Sequence, residues 1–320
     1  MDVLLLFAVI FFAGAASVFF AAKKMKKIGV LGRDINKQKK VFLPEACGIA
    51  LLVPVWIGIF LIIAFENFNA GFFILGLAVT GCSIIGLFDD LKKKFRGSLS
   101  WKARAVPISL FCLAFAFLFS QHWALVPLLA LFIVGLAALQ NTFAGLNGWE
   151  IGSGFIISCF VAALLVTTQF FLLAIVFSAA ILGLLFWNFF PAKVFPGDSG
   201  TLLIGGMIGC VLVLTGNIML MAIVFLFYLP HLIDFFVLKL RTNKKDLSQK
   251  AIQPYAILEN GKLGIPDYPD KKERLDFAKL VIKIFGPMKE WQVVSVIWLI
   301  VFLNCLFWFL AFIFARNIFW

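Results

Sequence analysis

Stretches of about 20 mainly apolar residues, the length a helix needs to cross a hydrocarbon layer, recur from one end of this chain to the other with only short polar breaks. That pattern leaves little freedom in fold class. In a bilayer every backbone amide and carbonyl must find a partner inside the protein, and an α-helix does this within one segment. The apolar stretches begin near residues 3, 46, 71, 105, 125, 154, 171, 202, 218 and 291. They predict an all-α polytopic membrane protein with about ten transmembrane helices. Composition agrees: 63% of residues are hydrophobic and 14% charged, with a mean hydropathy of +1.05, too little polar surface for a soluble globule of 320 residues. A single transmembrane domain, residues 1–320, is expected, with a long loop at 239–290 between the ninth and tenth spans. The first stretch reads as a retained span, because no positive charge precedes it and a basic cluster follows.

Threading these spans with the N-terminus outside puts residues 23–43, 89–104, 141–153, 190–201 and 239–290 inside. Those segments hold every one of the 28 lysines and arginines except Arg316, an asymmetry that the positive-inside rule converts into orientation. Both termini then lie outside, and the polar loops face the cytoplasm. Topology thus accounts for the net charge of +12, and no nucleic-acid partner is expected. The six cysteines are scattered, without metal-ligand spacing.

Each inside segment carries a polar island with two readings. In GRDINKQKKVFLPEACGI, Glu45 at the start of the second span is a helix cap or a site carboxylate. In GLFDDLKKKFRGSLSWKAR, Asp89 and Asp90 end the third span. They read as helix-end acids paired with Lys93 and Lys94 at i to i+4 spacing, or as functional carboxylates, the default at membrane depth. Adjacent helical residues point about 100° apart, so one acid faces the reaction centre and the other supports it. In NTFAGLNGWEIGSG, Asn147-Gly148 is turn chemistry, whereas Asn141 falls in a helix end that a turn does not explain. In NFFPAKVFPGDSGTLLIGG, Asp198 is an N-cap, or an acid available to Mg²⁺ beside a glycine turn whose backbone amides suit phosphate. His231 and Asp234 lie one helical turn apart and form a structural pair or line a site. No P-loop, zinc spacing or serine-hydrolase motif is present. Mg²⁺-dependent phosphate chemistry is the enzyme class these groups best serve.

The order of GRDINK with PEACG, then FDD, NTFAGLNGWEIG, PAKVFPGDSGT and IKIFGPMKE resembles the polyprenyl-phosphate N-acetylhexosamine-1-phosphate transferases, and is most similar to the eukaryotic and archaeal dolichyl-phosphate N-acetylglucosamine-1-phosphate branch. The resemblance spans almost the whole chain. It implies that Asn141 and Asp198 hold Mg²⁺, with Mn²⁺ as the alternative ion. It further implies that Asn147 contacts uracil, Phe195 stacks near it, Lys102 reaches the diphosphate, and Asp89 and Asp90 serve the acceptor phosphate. Glu45 joins the substrate-binding set. The histidine- or arginine-rich motif usual after the ninth span is missing, and Lys239, Arg241, Lys244 and Lys245 are the candidates for its positive charge.

The implied partners are UDP-N-acetylglucosamine, a polyprenyl or dolichyl phosphate, the bilayer itself and a second copy of the chain as a homodimer. The implied location is an archaeal cell membrane or the endoplasmic reticulum membrane, with the active site facing the cytoplasm. The implied product is a lipid-linked N-acetylglucosamine diphosphate, as in the first membrane step of N-glycosylation. A related transferase for cell-wall or surface polysaccharide is the alternative within the family, and a transporter or flippase the alternative outside it. A transporter would place ionisable groups near mid-membrane, whereas these acids gather at one face. The threading predicts that a reporter active only in the cytoplasm works when fused after Phe95 and is silent when fused after Glu66. The opposite pattern would invert the topology.

Overall fold

The computed structural model describes residues 2–66, 69–95, 101–120, 122–240, 254–266 and 275–319, with side chains at 101–102 and 316–319 left aside. Its helices fall on the ten expected stretches. They are α1 (Val3–Lys27), α2 (Leu52–Phe65, entered through a 3-10 turn at Cys47–Leu51), α3 (Ala70–Phe95), α4 (Trp101–Phe119) and α5 (Val126–Thr142). They continue with α6 (Trp149–Leu164), α7 (Phe171–Asn188), α8 (Gly197–Thr215), α9 (Ile218–Phe227) and α10 (Leu229–Leu232), which runs on as a π-helix over Ile233–Lys239. After a short amphipathic α11 (Phe277–Phe285), α12 (Glu290–Phe319) closes the chain. By length and composition alone seven described helices can cross a membrane, or eight if the pair bent by 58° around Tyr228 counts as one span. The helices at 103–119 and 149–164 are apolar but shorter. The protein is a polytopic all-α membrane protein.

Local chemistry explains the helix ends. Asp2 Oδ1 accepts from the amides of Leu4 and Leu5 at 2.8 and 3.1 Å, and Lys24, Lys26 and Lys27 occupy the last turn of α1, where cations complement the helix dipole. Pro230 follows the Tyr228 break and lacks the amide that would continue the helix.

The architecture is organised around α8, 83% buried, against 22% for α1 and 17% for α12. Small residues allow this. A Cβ at Gly205 would lie 2.4 Å from the Leu136 carbonyl of α5, and one at Gly86 would lie 2.6 Å from the backbone of Asp198. Glycine-lined contacts of this kind let membrane helices approach to backbone distance. α1 packs chiefly against α7, while α3 and α5 flank α8.

Above the inner helix ends sit two small antiparallel hairpins. β1 (Leu31–Asp34) pairs with β2 (Val41–Pro44), with Asp34 opposite Val41. β3 (Ala256–Ile257) pairs with β4 (Leu263–Gly264). The long loop thus carries its own hairpin and α11 among its described residues.

Gly205→Ala is expected to destabilise the fold by about 1–3 kcal/mol through overpacking, read as a lower melting temperature in detergent. Gly135→Ala, whose Cβ would meet nothing within 4 Å, should be neutral or stabilising by up to about 1 kcal/mol from helix propensity.

Candidate active site

The C-terminal end of α3 and the N-terminal ends of α4 and α8 converge on one charge cluster. Asp89 Oδ2 lies 2.9 Å from Lys93 Nζ and 3.1 Å from Arg104 Nη1, and Asp198 Oδ2 lies 2.8 and 2.9 Å from the same two nitrogens. The expected Asp89–Lys93 pair is therefore present, but as one edge of a four-charge ring. Lys94 does not pair with Asp90; it donates instead to the Leu31 carbonyl at 3.3 Å.

Asp90 is the helix cap. Its Oδ1 accepts from Asp198 N–H at 2.9 Å and its Oδ2 from Ser199 N–H at 3.1 Å, so it occupies the anion-seeking N-terminus of α8. The amides expected to serve phosphate are thus taken by a neighbouring carboxylate. Gly197, at φ +67°, makes this possible: a Cβ there would lie 2.3 Å from Asp90 Oδ2. The N-cap position of α8 itself is Pro196, which rules out the plain N-cap reading of Asp198. Glu45 is not a cap either, because the 3-10 turn at Cys47 starts from Ala46 without a side-chain bond.

Asn141 joins the cluster through Thr201, whose hydroxyl donates to Asn141 Oδ1 at 2.7 Å. Since Thr201 lies one turn beyond Asp198, the end of α5 that carries Asn141 is tied to the start of α8 that carries Asp198. Among the described residues no three carboxylate, imidazole or thiol groups form a ready-made metal cage. The donor set still fits Mg²⁺, which prefers oxygen ligands and usually completes its shell with water and substrate phosphate.

Beside the charge ring is a cavity of about 180 Å³, lined among others by Arg33, Asp34, Asn36, Asn147, Glu150 and Phe195. A β-like splice holds its wall: Phe195 N–H donates to the Pro44 carbonyl at 2.8 Å, and Cys47 N–H to the Phe195 carbonyl at 3.1 Å. Gly32 leaves room for Phe195 and Glu45 to meet, since a Cβ there would sit 2.9 Å from Phe195 Cδ2 and 3.0 Å from Glu45 Oε2. Cavity and charge ring are thereby joined by one loop, in which Phe195 and Asp198 are three residues apart.

Lys239, one of the four candidates for the missing positive charge, is engaged within the protein. Lys239 Nζ binds Asp234 Oδ2 at 2.6 Å and the Thr142 carbonyl, under the Trp149 ring. Its charge is therefore consumed internally. Asp234 also accepts from Phe277 N–H at 2.8 Å. His231 does not pair with it: the ring lies 4.0 Å from Phe143 and 4.7 Å from Tyr228, with both nitrogens unpartnered among the described residues. The Lys102 side chain and residues Arg241, Lys244 and Lys245 lie outside the described residues.

Sequence reasoning missed Arg104, Asp34, Glu290 and the cavity position of Glu150. Each stands inside a quoted motif, yet only the fold shows where its side chain goes. Lys37 bridges Asp34 at 3.4 Å and Glu290, and Glu290 Oε1 accepts from Asn147 N–H at 2.9 Å.

Comparison with known proteins gives the family. Residues 72–216 match the family described as glycosyl transferase family 4. A Methanocaldococcus jannaschii protein named "Putative glycosyltransferase" is 33% identical over 295 residues, covering 88% of this chain and 87% of that protein. The chain belongs to glycosyl transferase family 4. Within the family, a Sulfolobus acidocaldarius protein named "Putative UDP-N-acetylglucosamine--dolichyl-phosphate N-acetylglucosaminephosphotransferase" is 29% identical, covering 85% of each chain. A Prochlorococcus marinus phospho-N-acetylmuramoyl-pentapeptide-transferase is 30% identical over a shorter reach, 59% of this chain and 60% of its own. The family match covers both the charge ring and the Asn141–Glu150 segment.

Burial pushes the Glu45 carboxyl above its ordinary range, with Asp198 adding to the rise and Lys93 and Lys94 opposing it. A carboxyl with a raised folded-state pKa binds its proton more tightly folded than unfolded, so stability falls as pH rises through that window. Glu45→Gln should remove that fall, flattening the melting temperature against pH above about 4.3, the ordinary glutamate pKa. A slope identical to the parent's would show that Glu45 titrates freely.

Proposed function

We propose that this enzyme transfers N-acetylglucosamine 1-phosphate from UDP-N-acetylglucosamine to a polyprenyl phosphate of the dolichyl type at the cytoplasmic face of its membrane. A phosphate oxygen of the lipid attacks the sugar-bearing phosphorus, the bond to the UMP phosphate breaks, and UMP leaves. The observation that carries the reading is the junction of two subsites on one loop. Phe195 walls a cavity of nucleoside size, and Asp198, three residues on, sits in the charge ring where a diphosphate would follow. The full-length likeness to the Sulfolobus acidocaldarius protein supports the donor and acceptor.

Phosphoryl transfer is mainly positioning and charge stabilisation, and the ring is built for both. Lys93 and Arg104 are cations held by carboxylates, placed to exchange those partners for phosphate oxygens. Asp198 and Asn141 would hold Mg²⁺, which neutralises charge developing on the diphosphate. Asp90, committed at both oxygens to the α8 amides, is the supporting acid of the pair. Asp89 is then the acid that faces the acceptor. Its task is orientation more than proton removal, since a phosphate monoester with a second pKa near 6 is mostly a dianion at neutral pH.

The purified protein in detergent is expected to release UMP from UDP-N-acetylglucosamine with dolichyl phosphate. Release should stop with EDTA and return with Mg²⁺. Asp198→Asn and Asn141→Ala should each lower kcat by on the order of 100-fold or more without a matching loss of melting temperature. Undiminished turnover in either would remove these metal ligands, and preference for UDP-N-acetylmuramoyl-pentapeptide would move the enzyme to the other branch.

A further inference from the structure

The cavity wall carries an unusual distribution of hydrogen-bonding groups. Asn147 donates from Nδ2 to Asp34 Oδ2 at 3.0 Å, and its backbone amide donates to Glu290 Oε1 at 2.9 Å. A carboxylate only accepts, so Asp34 dictates which end of the Asn147 amide it faces: the NH₂ turns to Asp34, and carbonyl Oδ1 is the group left for the cavity. Lys37, 3.4 Å from Asp34 Oδ2 and bound to Glu290, bridges the two acids. Asp34 is itself anchored, because its Oδ1 accepts from Asn36 N–H at 3.2 Å. Asn36 in turn donates from Nδ2 to the Gly145 carbonyl at 3.2 Å.

A second, independent observation points the same way. Asn36 Oδ1 and Glu150 Oε2 are buried oxygens on cavity-lining residues without a hydrogen-bond partner among the described residues. Acceptor oxygens therefore gather around Asn147, and its own Oδ1 is the one left to a ligand in the cavity.

We infer that Asp34 is the positioning residue that sets base selectivity, by locking Asn147 as an acceptor for the N3–H of a uracil ring. The inference rests on the uridine-nucleotide reading above and deepens it. Uracil carries a donor at N3, the complement of an acceptor at Asn147 Oδ1. Cytosine has a lone pair at N3, which would face Asn147 Oδ1 and repel it. A site built for one hydrogen-bond pattern rejects the analogue that leaves its groups unpaired.

The test measures UMP or CMP release from UDP- and CDP-N-acetylglucosamine by the full-length protein with dolichyl phosphate and Mg²⁺. The parent should favour the uridine donor by about 100-fold or more in kcat/KM. Asp34→Asn frees the Asn147 amide to rotate, and should lower that ratio at least tenfold, mainly through a higher KM for the uridine donor. The double variant Asp34→Asn with Asn147→Asp reverses the pair: the new amide donates to the new carboxylate, and an acceptor oxygen again faces the cavity. It should recover the selectivity, which a residue needed only for folding would not do. An unchanged ratio in Asp34→Asn would overturn the inference. If that single variant does not accumulate, the double variant decides, and failure to restore both protein and selectivity overturns it. A parent that releases no UMP would instead overturn the function on which the inference rests.

Discussion

The carboxylate of Asp90 seated on the first turn of α8 is the interaction on which the inner face of this protein depends. It satisfies two amides that a buried helix start would otherwise leave unpaired. It also ties α3 to α8, and so brings Asp89 and Asp198 around the same two cations. Burying like charges in this way is tolerable only when each is paired and hydrogen-bonded. Lys93 from α3 and Arg104 from α4 supply the pairing, and Gly86 and Gly197 supply the closeness. The ring is consequently one cooperative unit.

The second polar unit is held together separately. Asp34, Lys37, Asn147 and Glu290 come from the β1–β2 hairpin, the α5–α6 loop and the start of the last span. Their bonds hold the hairpin over the cavity, and Gln38 extends the clamp to the carbonyls of Leu258 and Glu259 in the β3–β4 turn. Loops ordered by mutual ion pairing on a rigid helical base are how a membrane protein builds a precise aqueous-facing site. The helices provide position, and the polar groups above them provide chemistry.

Much of this was legible beforehand, for a physical reason that differs between fold and site. Apolar length and lysine placement are additive, local properties, so the helical segments could be assigned without knowing how they pack. The cluster around Asp198 was legible in part, since glycine, proline and an acid at a helix start have few common uses. The use of the α8 amides was misread, because whether phosphate or Asp90 takes them depends on how near α3 lies. Its position after the ninth span makes Lys239 a candidate for the missing positive charge, yet Asp234, five residues earlier, meets it through the π-helical turn. Arg104 went unnoticed because nothing in its own segment says that it faces two acids.

The amino-acid sequence by itself determined that the chain resides in a membrane and where its helices run, because those follow from the cost of placing backbone and charge in hydrocarbon. Only the tertiary structure decided which acid caps, which acid is left to act, and which end of Asn147 faces the cavity. Those outcomes turn on distances of about 3 Å between groups far apart in the chain, and no local pattern encodes them.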